Sequence, residues 1–170
     1  MKQHFQMMAA YNGWANACVF EAAGALAPDD LEREMGAFFG SVLGTLNHIL
    51  VADRIWMKRF TGEGEAPARL DAILFAALGS LKAAREAEDG RIATWIDGLS
   101  EKAFSGRFTY MTVTDMRTVS QRLAPALAHF FNHQTHHRGQ VHAMLTALGQ
   151  PSPELDLIRF QRTEAGRSFA

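Results

Sequence analysis

Five of the seven histidines in this chain fall in one stretch, HFFNHQTHHRGQVH, from His129 to His142. His133 and His137 are spaced i, i+4, which on a helix sets two imidazoles one above the other with Cβ atoms about 5–6 Å apart. Rings placed so can share one ion at Zn–N distances of about 2.0–2.1 Å. At about 100° per residue, His133 and His137 point with Phe130, Val141, Met144 and Leu148, whereas His136 and His142 lie off that stripe. Polar groups inside an apolar stripe need partners, because a buried unpaired group is costly. The spacing alone also describes two packed or solvent-facing histidines with no ion. His129 to His133 repeats it, so His129 stands as an alternative ligand or as a neighbour behind one.

A third ligand has to come from another helix. His48 is the candidate, pointing with Thr45, Ala52, Ile55 and Trp56. Three neutral imidazoles with one open position make the arrangement of a catalytic metal site. Such donors suit zinc or nickel first, and also iron, cobalt or manganese. No Gly-rich phosphate loop, Gly-x-Ser-x-Gly elbow or cysteine pair offers a competing site. Asp53 lies about 140° from His48 on the same helix. It is expected to be structural, paired with Arg54 or Arg138 or capping a neighbouring element. No catalytic base is identified.

The elements that must carry these residues read as helices. The first is expected from about Lys2 to Leu26, ended by Pro28-Asp29-Asp30. The second runs from Ser41, an N-cap candidate, to Phe60. A loop follows at 61–67, then a third helix from Leu70 to Leu99, weakened or broken near Asp89-Gly90. Phe104 to Val119 is rich in β-branched and aromatic residues and reads as two short extended segments, an arm or hairpin. The fourth helix is expected from Ser120 to Leu148, stopped by Gly149 and Pro151. Part of the tail, with Leu155, Leu157, Ile158 and Phe160, is expected to pack down. This predicts an all-α fold, a four-helix bundle with a short extended arm before the last helix.

At 170 residues the chain is expected to form a single domain, 1–170, that buries its own core. A metal would then serve function and not folding. The net charge of −1 argues against nucleic acid or an anionic membrane as partner. No apolar run reaches membrane-span length, and polar residues through the first helix argue against a signal peptide. The single cysteine, Cys18, excludes an internal disulfide, fits a reducing cytoplasm, and reads as a small buried hydrophobe. Tyr11 and Trp14 read as core or interface aromatics.

Three segments resemble the DinB/YfiT-like metalloenzymes, the damage-inducible bundle family. They are YNGWAN (residues 11–16), SVLGTLNHILVADRIWMKRF with His48, Asp53 and Trp56, and HFFNHQTHHRGQVHAMLTALG with its His-x-x-x-His-Arg-Gly-Gln signature. The tail PELDLIRF fits as well. The resemblance implies metal binding by His48, His133 and His137, a bundle in up-down-down-up order, and a homodimer. It implies thiol-dependent chemistry, since its better-understood members are S-transferases using low-molecular-weight thiols and a maleylpyruvate isomerase using mycothiol. The leading expectation is thus a thiol S-transferase acting on a small-molecule substrate, with Trp56, Phe130 and Met144 walling the ion. His129, Arg138, Gln140 and Trp56 are candidates for contacts behind the ligands or with substrate, Arg138 by orienting an anion. The alternatives are a hydrolase that activates water at the same ion, and a non-catalytic metal-binding stress-response protein. The aromatic arm is expected to cover a partner.

Overall fold

The helical periodicity resolves into four long helices and two short ones. The computed structural model describes residues 1–112 and 115–170. The elements are α1 (Lys2–Ala23), α2 (Pro28–Glu32), α3 (Val42–Thr61), α4 (Leu78–Gly98), β1 (Arg107–Met111), β2 (Thr118–Arg122), α5 (Leu123–Ala147) and α6 (Leu157–Gln161). The fold is mostly helical with one small two-stranded sheet. Among the described residues no helix is long and apolar enough to cross a membrane.

α1 and α3 each pack against both α4 and α5. Two apolar clusters result, one around Val19, Leu46 and Leu145 and one around Phe5, Ile92 and Phe130. On every long helix some buried polar residues fall, in sequence, between members of the two clusters. Asn12 and Asn16 do so on α1, Asp53 on α3, Arg85 on α4, and Gln134 and Arg138 on α5. A polar layer therefore crosses the middle of the molecule.

Ser41 caps α3 as expected, its side chain accepting from the Gly44 amide at 3.1 Å. Such a cap stabilises by about 1 kcal/mol over alanine. Gly44 also lets the preceding turn lie against the helix, because a Cβ there would meet the Phe39 carbonyl oxygen at 2.2 Å. Gly62, at φ 78°, ends α3 in the left-handed conformation that glycine adopts without strain.

The third helix begins eight residues later than the spacing predicts. Asn47 on α3 explains the shift. Its side-chain oxygen accepts from the amides of Leu74 and Phe75, and its nitrogen donates to the Phe75 carbonyl. Backbone groups that a helix would use are thus tied to α3. No break occurs at Asp89-Gly90. Gly90 costs about 1 kcal/mol relative to alanine, and burial of Leu81, Ile92 and Ile96 on the same helix outweighs it.

The arm is an antiparallel hairpin, with Arg107 opposite Arg122 and Tyr110 opposite Val119. Residues 113–114 at its tip lie outside the described residues. β2 takes the residues expected to begin the last helix, so α5 starts at Leu123. Phe108 and Tyr110 pack on Phe60 and Trp56 of α3. That face of the arm covers its own chain. The tail returns to α1, where the Tyr11 hydroxyl donates to the Leu155 carbonyl at 2.6 Å and Phe160 is buried. Cys18 is half-buried rather than buried.

Candidate metal centre

α3 and α5 bring His48, His133 and His137 together, with their ligand atoms within 4.8 Å of one another. His48 and His137 are buried and His133 is partly so. The protons on these rings can be placed from their neighbours. The Nδ1 of His48 lies 2.8 Å from the Leu70 carbonyl, which can only accept, so Nδ1 carries the proton and Nε2 a bare lone pair. The Nδ1 of His137 lies 2.8 Å from Oε1 of Gln140, with the same consequence. The Gln140 amide nitrogen faces His136 at 3.2 Å, the orientation that leaves Oε1 to accept from His137.

Both bare Nε2 atoms point at the Nε2 of His133, at 3.3 and 3.1 Å. A neutral His133 has at most one proton there. It can satisfy one lone pair and must leave the other facing nitrogen. A cation is the partner that satisfies all three. Nitrogens about 2.0–2.1 Å from a tetrahedral ion stand about 3.3–3.4 Å apart, close to the separations seen. The donor set and its spacing therefore fit a divalent metal.

Burial keeps the rings neutral. It pushes His48 down to about 4, against the pull of the Leu70 carbonyl. It pushes His133 down to about 3, helped by His137 and His48, and it lowers His137 as well. Neutral imidazole is the ligand form. These shifts also predict how the metal-free protein responds to pH. The unfolded chain takes up protons at its histidines near the ordinary value of about 6.5, while the folded rings resist. Stability should therefore fall as pH falls from about 6.5 toward 4. Denaturant midpoints of chelated protein at several pH values test this. A His48→Gln, His133→Gln variant should lose less over the same interval, and an equal loss would contradict neutral, buried rings.

The turn before α3 adds a side chain that periodicity does not reveal. Phe39 stacks on His48 with ring centroids 3.6 Å apart and 15° between planes, and meets His137 edge-on at 5.5 Å. Leu70 was equally hidden, because it contributes a backbone oxygen from an irregular segment.

A cavity of about 240 Å³ opens beside His48 and His133, walled by Ala52, Ile55, Trp56, Leu70 and Tyr110. His129 also lines it. Its ring is 5.2 Å from Trp56 and 6.0 Å from His133, so it neighbours the three-histidine group without joining it. Gln140 touches His137 from the side away from the other two histidines' Nε2 atoms, through Nδ1. Phe130 and Met144 do not wall the cavity. They belong to the two apolar clusters on either side of the polar layer.

Arg138 does not line this cavity. It directly follows His137, and the turn of about 100° sends it into the interior. It is 2% exposed there, donates to Asn16 at 3.1 Å as well as to Asn12, and lies over the Tyr11 ring. Asp53 is structural as expected, but its partner is neither Arg54 nor Arg138. Arg85 donates to it at 2.6 Å, and Gln134 donates from the other side. Arg54 instead approaches Glu88 at 3.9 Å. α4 carries Arg85 to within reach of Asp53, and only tertiary packing could reveal that.

A protein named DinB from Bacillus subtilis is 26% identical over 149 residues, covering 86% of this chain and 87% of its own. The crystal structure of a DinB-like protein from Bacillus cereus superposes with a TM-score of 0.61 at 18% identity, covering 83% of this chain and 90% of its own. At that identity the likeness shows the fold. The sequence profile of the DinB family matches residues 1–167, nearly the whole chain. The chain belongs to the DinB family.

Proposed function

We propose that the protein is a metal-dependent transferase that bonds the sulfur of an intact low-molecular-weight thiol to an apolar electrophile, the thiol losing its proton and the electrophile its leaving group. The observation that carries this is the convergence of three neutral imidazole nitrogens, two of which, from His48 and His133, line a largely apolar cavity. His48, His133 and His137 would hold one divalent ion, zinc or nickel by donor type. Bound there, the ion supplies the positive charge that favours thiolate, the nucleophilic form of a thiol.

The remaining residues have separable tasks. Leu70 and Gln140 hold the His48 and His137 rings in the ligand tautomer, and Phe39 fixes the plane of His48. Ala52, Ile55 and Trp56 exclude water and receive the electrophile. A thiol entering the cavity has to lose its proton, and the imidazole of His129 on the wall is the base placed to accept it. Among the described residues no carboxylate lines this cavity, which favours a thiol over water as nucleophile and sets hydrolysis second. The same reading takes the four long helices as a single-domain four-helix bundle in up-down-down-up order, working in the cytoplasm as a homodimer.

Untagged protein should carry about one divalent ion per chain by mass spectrometry, since the three histidines define one site. Chelation should leave the helical circular dichroism intact with a modest drop in melting temperature, because the core folds without the ion. With a chlorinated aromatic as electrophile, thiol consumption should stop on chelation and return on reloading. Loss of helix on chelation would make the ion structural. Absence of thiol consumption across a panel of cellular thiols would end the transferase reading.

A further inference from the structure

We propose that the groove running from the histidines along α3 takes an elongated small molecule ending in an oxyanion, and that the guanidinium of Arg59 anchors that end. The inference deepens the transferase reading and rests on it only for the reactive end of the ligand.

His48, Ala52, Ile55 and Arg59 follow one another at i, i+4, i+7 and i+11, which places them within about 60° of one another on α3. They form a stripe, and all four line the same cavity. A second cavity of about 310 Å³ continues beyond Arg59 and shares Ile55, Arg59 and Tyr110 with the first. At 1.5 Å per residue the Cα atoms of His48 and Arg59 stand about 16 Å apart. The Arg59 side chain leans back toward the helix N-terminus, so the open span is on the order of 10 Å. A ligand with its reactive atom at one end and its charge at the other fits that span.

Arg59 is held but not neutralised. Its guanidinium carbon lies 4.6 Å from the Trp56 ring centroid and 4.7 Å from that of Tyr110. Ring faces satisfy the plane of a guanidinium, not the N–H groups on its edge. The Nε of Arg59 is buried with no hydrogen-bond partner. Arg54, Arg85 and Arg91 each meet a carboxylate, whereas Arg59 forms no ion pair among the described residues. No Asp or Glu lines either cavity, and the outer one adds a second cation, Lys58. Val113 and Thr114, outside the described residues, carry no carboxylate either. Burial works against the charged form of Arg59, so an incoming anion would gain the interaction that no protein group supplies. A planar fork of donors accepts a carboxylate or another oxyanion in two parallel hydrogen bonds.

Calorimetric titration with mercaptohexanoate, its neutral amide and the corresponding sulfonate tests the anchor. Wild-type protein should bind the acid at least about tenfold more tightly than the amide, the usual range for a hydrogen bond to a charged group. A sulfonate that binds as well as or better than the carboxylate supports the oxyanion anchor and identifies its kind. In Arg59→Met the preference for acid over amide should vanish, and in Arg59→Lys part of it should return. The preference should persist in chelated wild type. Failure of the thiol chemistry, read as no response of the cobalt-loaded protein's visible spectrum, is therefore distinguishable from failure of the anchor. If Arg59→Met does not melt cooperatively, Arg59→Gln and Arg59→Lys carry the same comparison. Equal binding of acid and amide by wild type, or a preference that survives in Arg59→Met, overturns the proposal.

Discussion

His137→Ala is expected to empty the metal centre, while His136→Ala leaves it nearly full. The two residues are neighbours of identical chemistry, and only helical direction separates them. His137 sends Nε2 to within 3.1 Å of His133 and is 7% exposed. His136 is exposed, and its one polar contact among the described residues is with the Gln140 amide. Removing a ligand leaves two imidazoles that no longer define a tetrahedral site, so the loss should exceed the roughly 10–100-fold seen when a group behind a ligand is removed. His136→Ala acts through Gln140, which then holds the His137 ring alone, and through the lost edge-on contact with that ring at 4.8 Å, so an effect of up to about tenfold is allowed. Metal content after dialysis, measured by mass spectrometry alongside His48→Ala and His133→Ala, decides the matter. An empty His136→Ala beside a full His137→Ala would mean that the phase of α5 is wrong.

The second large effect belongs to the polar layer. Asp53→Leu should cost about 3–5 kcal/mol, the range for breaking a buried ion pair from one side. At about 2–4 °C per kcal/mol for a chain of this size, that is a fall in melting temperature of roughly 6–20 °C. Asp53 and Arg85 are almost fully buried and 2.6 Å apart. Arg85 also meets Asp89 at 3.0 Å, and Asp89 accepts from Asn12 and Asn16, the residues that hold Arg138. Two arginines and two aspartates thus balance within one network. Removing Asp53 leaves a guanidinium that cannot shed its proton. Arg85→Leu leaves instead a carboxyl that burial already pushes toward the neutral form, with Arg85 as the opposing influence. Its cost should shrink as pH falls, because protonation removes the stranded charge, whereas the cost of Asp53→Leu should not. Equal pH dependence of the two variants would contradict this assignment.

The histidine positions were legible because helix phase is a local property. Reading His48 with Ile55, and His137 with Val141, needs only 3.6 residues per turn. The capping Ser41, the arm or hairpin expected over Phe104–Val119 and the terminating Gly149 were legible for the same local reason. Phe39 and Leu70 were not, since both lie in irregular segments where no period tells which way a group faces. Arg85 was hidden differently. On α4 it reads as one more charge on a polar helix, and only the approach of α3 turns it into the partner of Asp53. The late start of α4 is again non-local, set by Asn47 from 27 residues away. Arg138 shows the limit of reasoning by adjacency, since a residue next to a ligand in sequence faces a different part of the protein.

The contact between His48 and the Leu70 carbonyl has one further consequence, for inheritance. The Leu70 side chain is 44% exposed, and the atom that orients the histidine belongs to the main chain. Nearly any residue at position 70 would offer the same oxygen. Selection for the ring's orientation would therefore act on the length and path of the segment between α3 and α4, and leave the letter at position 70 free to drift. A comparison that scores residue identities would pass over this support of the site, whereas one that scores insertions and deletions between Gly62 and Leu78 would find it.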